Sequence, residues 1–273
     1  MDVVVSALPG DGGSAGYADL AIVAPFGVVL LDGASAFEPV DVHPATYART
    51  LGTSITALLH GQPDIPIADA VAEAIRRTTA SLNLRAGASP SSTVAILRTN
   101  DDVVDFYVLG DSTIHYGVGE QTHQLVDDRI EQVAQQERDN YIRRLRAGYG
   151  YDDAHRSALA DLQGAQRSDR NVEGGYWIAE TEPAAAYRGL TRSFKSCRVG
   201  WAVLATDGAA DVIDHLGLGW AAVAGYKRAE LNRLLGQLHA WEAGSDPYGC
   251  ALPRAKRHDD KTIVAIRSLG SSH

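Results

Sequence analysis

Cysteine is scarce in this chain: Cys197 and Cys250 are its only thiols, and neither belongs to a CxxC pair or stands beside clustered histidines. A disulfide scaffold and a structural zinc site of ordinary spacing are thereby excluded, which leaves two unremarkable thiols. Long apolar runs are missing too. No uninterrupted stretch could span a bilayer, and no basic segment leads into an apolar one near residue 1 as a secretion signal would. Positive charge is in deficit, with 25 Lys and Arg against 34 Asp and Glu and a formal charge of −9, so neither nucleic acid nor an anionic membrane is expected as the main partner. The expectation is a cytoplasmic protein. Tandem repeats and Pro/Ser-rich linkers are also lacking. The 273 residues are therefore expected to form one domain, with 118–198 containing a helical and loop excursion.

Several catalytic signatures are absent. Ser35, Ser54, Ser92 and Ser112 sit in no G-x-S-x-G elbow, and His43, His60, His115 and His123 form no diagnostic sequence with them. The Gly-rich segment PGDGGSAG lacks the lysine of a nucleotide-binding P-loop. Arg143, Arg144 and Arg146 lie on a polar helical stretch and read as solvated surface.

What the chain does have is a set of carboxylates at the ends of strand-like runs: Asp32 in FGVVLLDGAS, Asp111 in VVDFYVLGDS, Asp207 in WAVLATDGAAD, and Asp259 with Asp260 in HDDKTIVAIR. An Asp-Gly pair alone is ordinary turn or cap chemistry. Repeated after apolar strands, it fits a site for hard cations, since carboxylate oxygen suits Mg²⁺ or Mn²⁺ and glycine lets backbone turn tightly or approach an ion. In that reading Asp32 bridges two ions, Gly33 offers its carbonyl, Asp207 and Asp259 complete one ion's shell, and Asp19 orients a water.

Periodicity gives the framework. Residues 20–24 and 27–31 read as a hairpin, 44–60 and 66–84 as helices, and SSTVAILR, VVDFYVLGDS and TIHYGV as three strands expected to share one antiparallel sheet. A polar helix is predicted over 128–146, a surface excursion over 151–176, and helix from Pro183 through EPAAAYRGLTRSF. A strand at 199–206, a long helix over 220–241 and a strand at 262–269 follow.

The ordered series Asp19, Leu31-Asp32-Gly33, Ser92-Thr93, Gly110-Asp111-Ser112, Thr206-Asp207-Gly208 and Asp259-Asp260-Lys261-Thr262 resembles the metal-dependent serine/threonine protein phosphatases of the PPM family, over nearly the whole chain. The resemblance implies an α+β fold, a β-sandwich of two antiparallel sheets flanked by helices, with two Mn²⁺ or Mg²⁺ ions at one end. It implies Asp32 as the bridging ligand, Gly33, Asp207 and Asp259 as the remaining direct ligands, Asp19 acting through water, and Asp111 helping to hold a weaker third ion. NVEGGYW, EPAAAY and WEAGSDPYGCALPRAKRHDDKT resemble a divergent actinobacterial branch, in which Arg254 and Lys256 would be either substrate-facing cations or solvated surface. Two departures stand out. Ala34-Ser35-Ala36 offers no histidine to protonate a leaving group, and LPGDGGSAGYAD lacks the phosphate-binding arginine of well-studied relatives. The implied reaction is hydrolysis of phosphomonoesters, in a phosphorylated protein or a small phosphomonoester; the alternative is a catalytically weak regulatory or phosphoprotein-binding protein.

Overall fold

A computed structural model describes residues 1–11, 13–34 and 41–269. Its N-terminal part runs β1 (Asp2–Leu8), the single turn α1 (Gly13–Gly16), β2 (Leu20–Ala24), β3 (Gly27–Leu31), α2 (Pro44–Gly61) and α3 (Ile67–Ser81). Then come β4 (Val94–Asn100), β5 (Val103–Leu109), β6 (Thr113–Val118), β7 (Gln121–Leu125), α4 (Gln135–Arg146) and α5 (Asp153–Ser168). The last part holds β8 (Leu190–Lys195), β9 (Val199–Ala205), α6 (Asp207–His215), α7 (Trp220–Gly225), α8 (Arg228–Gly244) and β10 (Lys261–Arg267). Two five-stranded sheets, ordered β1-β10-β9-β6-β7 and β2-β3-β4-β5-β8, are antiparallel throughout. The expected α+β sandwich flanked by helices is the observed fold.

The layering explains why the strands read as continuous apolar runs instead of alternating ones. In β3, Val28 and Leu30 face the space between the sheets with Leu97, Phe106, Ile114, Leu204 and Val264. Val29 and Leu31 face outward and are covered by Leu51 and Ile55 of α2 and Ile75 of α3. The other sheet repeats the scheme: Val203, Ala205, Ile263 and Ala265 pack under Ile213 of α6, Val223 of α7 and Leu231, Leu235 and Leu238 of α8. A strand buried on both faces has no polar side to show, and period-2 patterning disappears. Among the described residues, no helix is long and apolar enough to cross a membrane.

Several sequence expectations are corrected. The three strands placed in one sheet are divided: β4 pairs with β5, whereas β6 pairs with β7 and β9 in the opposite sheet. Gly110, at φ +85°, turns the chain between the sheets, so Gly110-Asp111-Ser112 is a crossover and no hairpin turn. The helix predicted over 128–146 starts only at Gln135, after a short 3₁₀ turn (Arg129–Gln132), because Ala134 adopts a left-handed conformation that ends any run through it. The excursion over 151–176 contains α5, capped by Asp152, whose carboxylate accepts from His155 N at 2.8 Å. From Pro183 the chain makes one 3₁₀ stretch to Arg188 and then the edge strand β8 instead of helix. The 220–241 helix breaks at Gly225, and Glu230 accepts from the Lys227 amide at 2.8 Å to start α8 afresh. The strands β1 and β7 were not anticipated. Ser35 and Ala36 lie outside the described residues.

Gly27 closes the β2–β3 hairpin at φ +149°, and a Cβ there would run into the Leu97 carbonyl of β4. Replacement combines backbone strain with a clash against main chain that cannot move without breaking the sheet. Gly27→Ala is expected to cost about 2–3 kcal/mol of stability, read as a lower midpoint in urea unfolding with unchanged slope.

Candidate metal centre

Strand register alone carries the acidic residues to one end of the sandwich. Leu20 pairs with Leu31, so Asp19 before β2 and Asp32 after β3 are neighbours. Ala205 pairs with both Ile263 and Thr113, which places Asp207 after β9 next to the residues before β10 and before β6, namely Asp259 and Asp111. Threonines join the two sheets there. Thr206 Oγ1 and Thr262 Oγ1 donate to Asp19 Oδ2 at 2.9 and 2.8 Å, and Tyr17 lies 2.6 Å from Thr262 Oγ1. Asp19 Oδ1 is buried with no hydrogen-bond partner among the described residues.

Asp32 is fixed through its main chain. Its carbonyl accepts from Thr93 N at 2.9 Å and Ser92 Oγ at 2.8 Å, and its amide donates to Thr93 Oγ1 at 3.2 Å. That leaves the side chain free for other work and accounts for Ser92-Thr93 in the motif series. The two Asp-Gly glycines serve close approach, not a positive-φ turn. A Cβ on Gly33 would lie 2.9 Å from Ala18, and one on Gly208 would meet the Asp260 carbonyl and the Asp259 side chain.

The electrostatics follow from this crowding. Burial first, then Asp19, Asp207 and Asp259, hold the Asp32 carboxyl well above the usual range. Asp32 and Asp207 are within hydrogen-bonding reach of each other, which requires a proton or a cation between them. Burial and then Asp259 raise Asp207, although it opens helix α6, whose dipole favours a carboxylate. Asp19 is pushed up to about 7, chiefly by burial with Asp260 adding to it, and Asp111 to about 7 by burial and Asp207. Asp211 was missed from the sequence. It lies four residues after Asp207 on α6 and, though exposed on one side, is raised to about 8 by burial, Asp207 and Asp111. The i,i+4 spacing in DGAAD was the available signal.

The loop before β10 separates the remaining candidates. Asp259 Oδ1 accepts from Lys256 Nζ at 2.5 Å. Both oxygens of Asp260 are spent on main-chain amides, Gly10 N at 2.8 Å and Ala18 N at 2.9 Å, so Asp260 ties down the N-terminal segment. Arg254 does not join the acidic cluster. Nη1 donates to Asp246 Oδ2 and Leu252 O, Nη2 to Asp246 O and Nε to Arg257 O, leaving every guanidinium nitrogen engaged. Ala34 is partly buried and brings no titratable group.

A second donor set lies behind the same loop. Ligand atoms of His239, Glu242 and His258 fall within 4.8 Å of one another, a candidate site for a single metal ion. His239 Nδ1 is buried without a hydrogen-bond partner among the described residues, and burial, followed by His258 and Lys261, lowers that imidazole toward its neutral form, the one that can ligate. Glu242 is already balanced: Lys261 Nζ lies 2.9 Å from Oε1 and His258 Nδ1 2.8 Å from Oε2.

No family model matches the sequence, and no curated protein matches it either. Solved structures do match the fold. The photosystem II phosphatase PBCP aligns over 98% of this chain and 99% of its own at 14% identity and a TM-score of 0.58. The PPM Ser-Thr phosphatase MsPP from Mycobacterium smegmatis, in complex with cacodylate, aligns over 97% of both chains at 16% identity and a TM-score of 0.56. The catalytic domain of the serine threonine protein phosphatase PstP, in complex with 2 manganese ions, covers 96% of each chain at 15% identity and a TM-score of 0.51. The likeness is to the PPM phosphatase fold as a whole and does not single out an actinobacterial branch.

Asp19, Asp111 and Asp211 bind protons more tightly folded than unfolded, since their folded values of about 7, 7 and 8 exceed the value of about 4 expected for an unfolded Asp. Their favourable contribution to folding is therefore present below about pH 4 and diminishes as pH rises to about 8. With a chelator present, the melting temperature is expected to fall by several degrees between pH 5 and 8. Added Mn²⁺ is expected to restore most at pH 8, where Asp19 and Asp111 are largely ionised and Asp211 about half so.

Proposed function

We propose that the protein is a metal-dependent phosphatase that hydrolyses phosphomonoesters, foremost phosphoserine and phosphothreonine in proteins, at a centre of two Mn²⁺ or Mg²⁺ ions. The observation that carries this reading is the meeting of Asp32, Asp207, Asp259 and Asp19 at one end of the sandwich, with Asp19 Oδ1 buried and unpartnered. Carboxylates desolvated together repel one another, and a hard divalent cation is the natural counter-charge. The donor set fits: oxygen throughout, on a fixed backbone, without cysteine or imidazole in the cluster.

Bound divalent ions would supply Lewis-acid charge to a phosphoryl group and to the water attacking it. Asp32 would serve both ions, Gly33 one through its carbonyl, and Asp207 and Asp259 the other. Asp19, steadied by Thr206 and Thr262, would hold the attacking water through Oδ1 and accept a proton from it. Asp111, with Asp207 and Asp211, would hold a weaker third ion. Of the two cations read from the sequence, Lys256 is the one poised to meet a phosphoryl oxygen, because the nitrogens of Arg254 are engaged in its own loop. With Ala34 unable to act as an acid, water must protonate the seryl or threonyl leaving oxygen, which makes turnover of phosphoserine and phosphothreonine slower than that of an aryl phosphate. The same feature supports the second reading, a weakly catalytic protein that binds phosphorylated partners. Metal-independent binding of a phosphopeptide panel without turnover would establish that one.

Purified protein is expected to release phosphate from an aryl phosphate and from phosphopeptides with Mn²⁺, and to stop when the ion is chelated. Asp32→Asn is expected to lower the rate about 100-fold or more. The metal-free melting temperature should hold or rise, since one like charge leaves the cluster. A purely structural role for Asp32 would instead lower stability and activity together. Asp111→Asn should retain the two tighter ions in a calorimetric Mn²⁺ titration. Full activity in Asp32→Asn, or phosphate release indifferent to chelator, would overturn the assignment.

A further inference from the structure

Lys256 stands apart from its neighbours. The backbone around it is held firmly: Arg254 is locked to Asp246, His155 Nε2 lies 2.9 Å from the Ala255 carbonyl, and the His258 amide donates to Asp11 Oδ2 at 3.1 Å. Its own side chain is 28% exposed, and Asp259 Oδ1 is its one hydrogen-bond partner among the described residues. Asp32 and Asp207 lie close enough to act on the ammonium electrostatically. A flexible stem on a fixed base thus carries a positive charge at the edge of the acidic cluster, with solvent on the other side.

Asp259 Oδ1 already accepts from Lys256 Nζ and from the Asp260 amide at 2.9 Å, so a divalent cation drawn to that oxygen meets the ammonium as a rival charge. Resting on the reading of this cluster as a metal centre, we propose that Lys256 is an exchangeable counter-ion: it competes with the divalent cation for Asp259, and metal loading releases its ammonium to bind the phosphoryl group of the substrate. The chain would then couple metal binding to anion binding through one side chain. It would also supply, from the loop before β10, the phosphate-binding charge that is missing from residues 8–19. Such coupling is reciprocal, so the residue that weakens the metal in the absence of phosphate is the residue that holds the phosphate in its presence.

The test uses the whole chain, with Mn²⁺ alone and inorganic phosphate as probes. Lys256→Met and Lys256→Gln are expected to bind Mn²⁺ about tenfold more tightly than the native chain in calorimetric titration, because a competing charge is gone. The same variants should need about five- to tenfold more inorganic phosphate for the same occupancy of the Mn²⁺-loaded protein, the loss of one charge-assisted contact. Lys256→Arg should restore phosphate binding. Metal affinity unchanged or weakened in both neutral variants would overturn the proposal, as would unchanged phosphate affinity, or a native chain that binds no Mn²⁺. Turnover is scored separately. A native chain that binds Mn²⁺, shows these Lys256 effects and hydrolyses no phosphomonoester keeps the counter-ion role and removes the proposed catalysis.

Discussion

The site end of this protein is governed by like charge brought out of water. Asp32, Asp207, Asp259 and Asp19 converge from both sheets, and burial raises Asp19, Asp32 and Asp207. Such a group is tolerated only because its surroundings are rigid and because counter-charge is within reach. Rigidity comes from Thr206 and Thr262 on Asp19, from Ser92 and Thr93 on the main chain of Asp32, and from Asp260, which clamps Gly10 and Ala18. The Thr206 and Thr262 contacts to Asp19 bind one sheet to the other at the end where the carboxylates would push them apart, and those of Ser92 and Thr93 fix Asp32 within its own sheet.

The two Asp-Gly steps belong to the same constraint. Glycine is needed at 33 because Ala18 lies against it, and at 208 because the Asp259-Asp260 segment does. Each glycine shortens the distance between an acid-bearing strand end and its neighbour. The motif is therefore a packing requirement that brings acids together, and the turn geometry usually associated with Asp-Gly is not used: neither residue has positive φ.

How much of this could be read from the sequence depends on how far apart the interacting residues lie. The β2–β3 hairpin, α2, α3, β9 and β10 were legible because each carries its own signal, a run of apolar residues or a helical period with a local stop. The assignment of β6 was not, because sheet membership is decided by long-range pairing with β9, and Gly110 looks the same in a hairpin turn as in a crossover. Edge strands β7 and β8, with the exposed run Thr191-Arg192-Ser193, are too polar to announce themselves. At the site, the acids were visible as Asp after a strand. The fate of the cations was not: Arg254 and Lys256 are two residues apart in one basic stretch, and only the position of Asp246 takes one into a structural clamp while the other turns to Asp259.

The loop from His258 to Lys261 ties these levels together. His258 and Lys261 turn inward to Glu242, which is buried on α8, while Asp259 between them faces the acidic cluster and accepts from Lys256. Glu242 thus sets the position of Asp259 from behind without touching the centre. Lys261, fully buried, also donates to the Asp259 carbonyl at 3.0 Å, so one ammonium serves both the Asp259 backbone and the buried Glu242 carboxylate. A metal at His239, Glu242 and His258 would have to displace or tolerate that charge, whereas the acids in front of the loop meet Lys256 beside Asp259 and, nearer Asp111, Arg138. One loop thus has two faces: Asp259 turns toward the acids at the strand ends, and His258 and Lys261 turn back to Glu242, where His239 completes a second donor set.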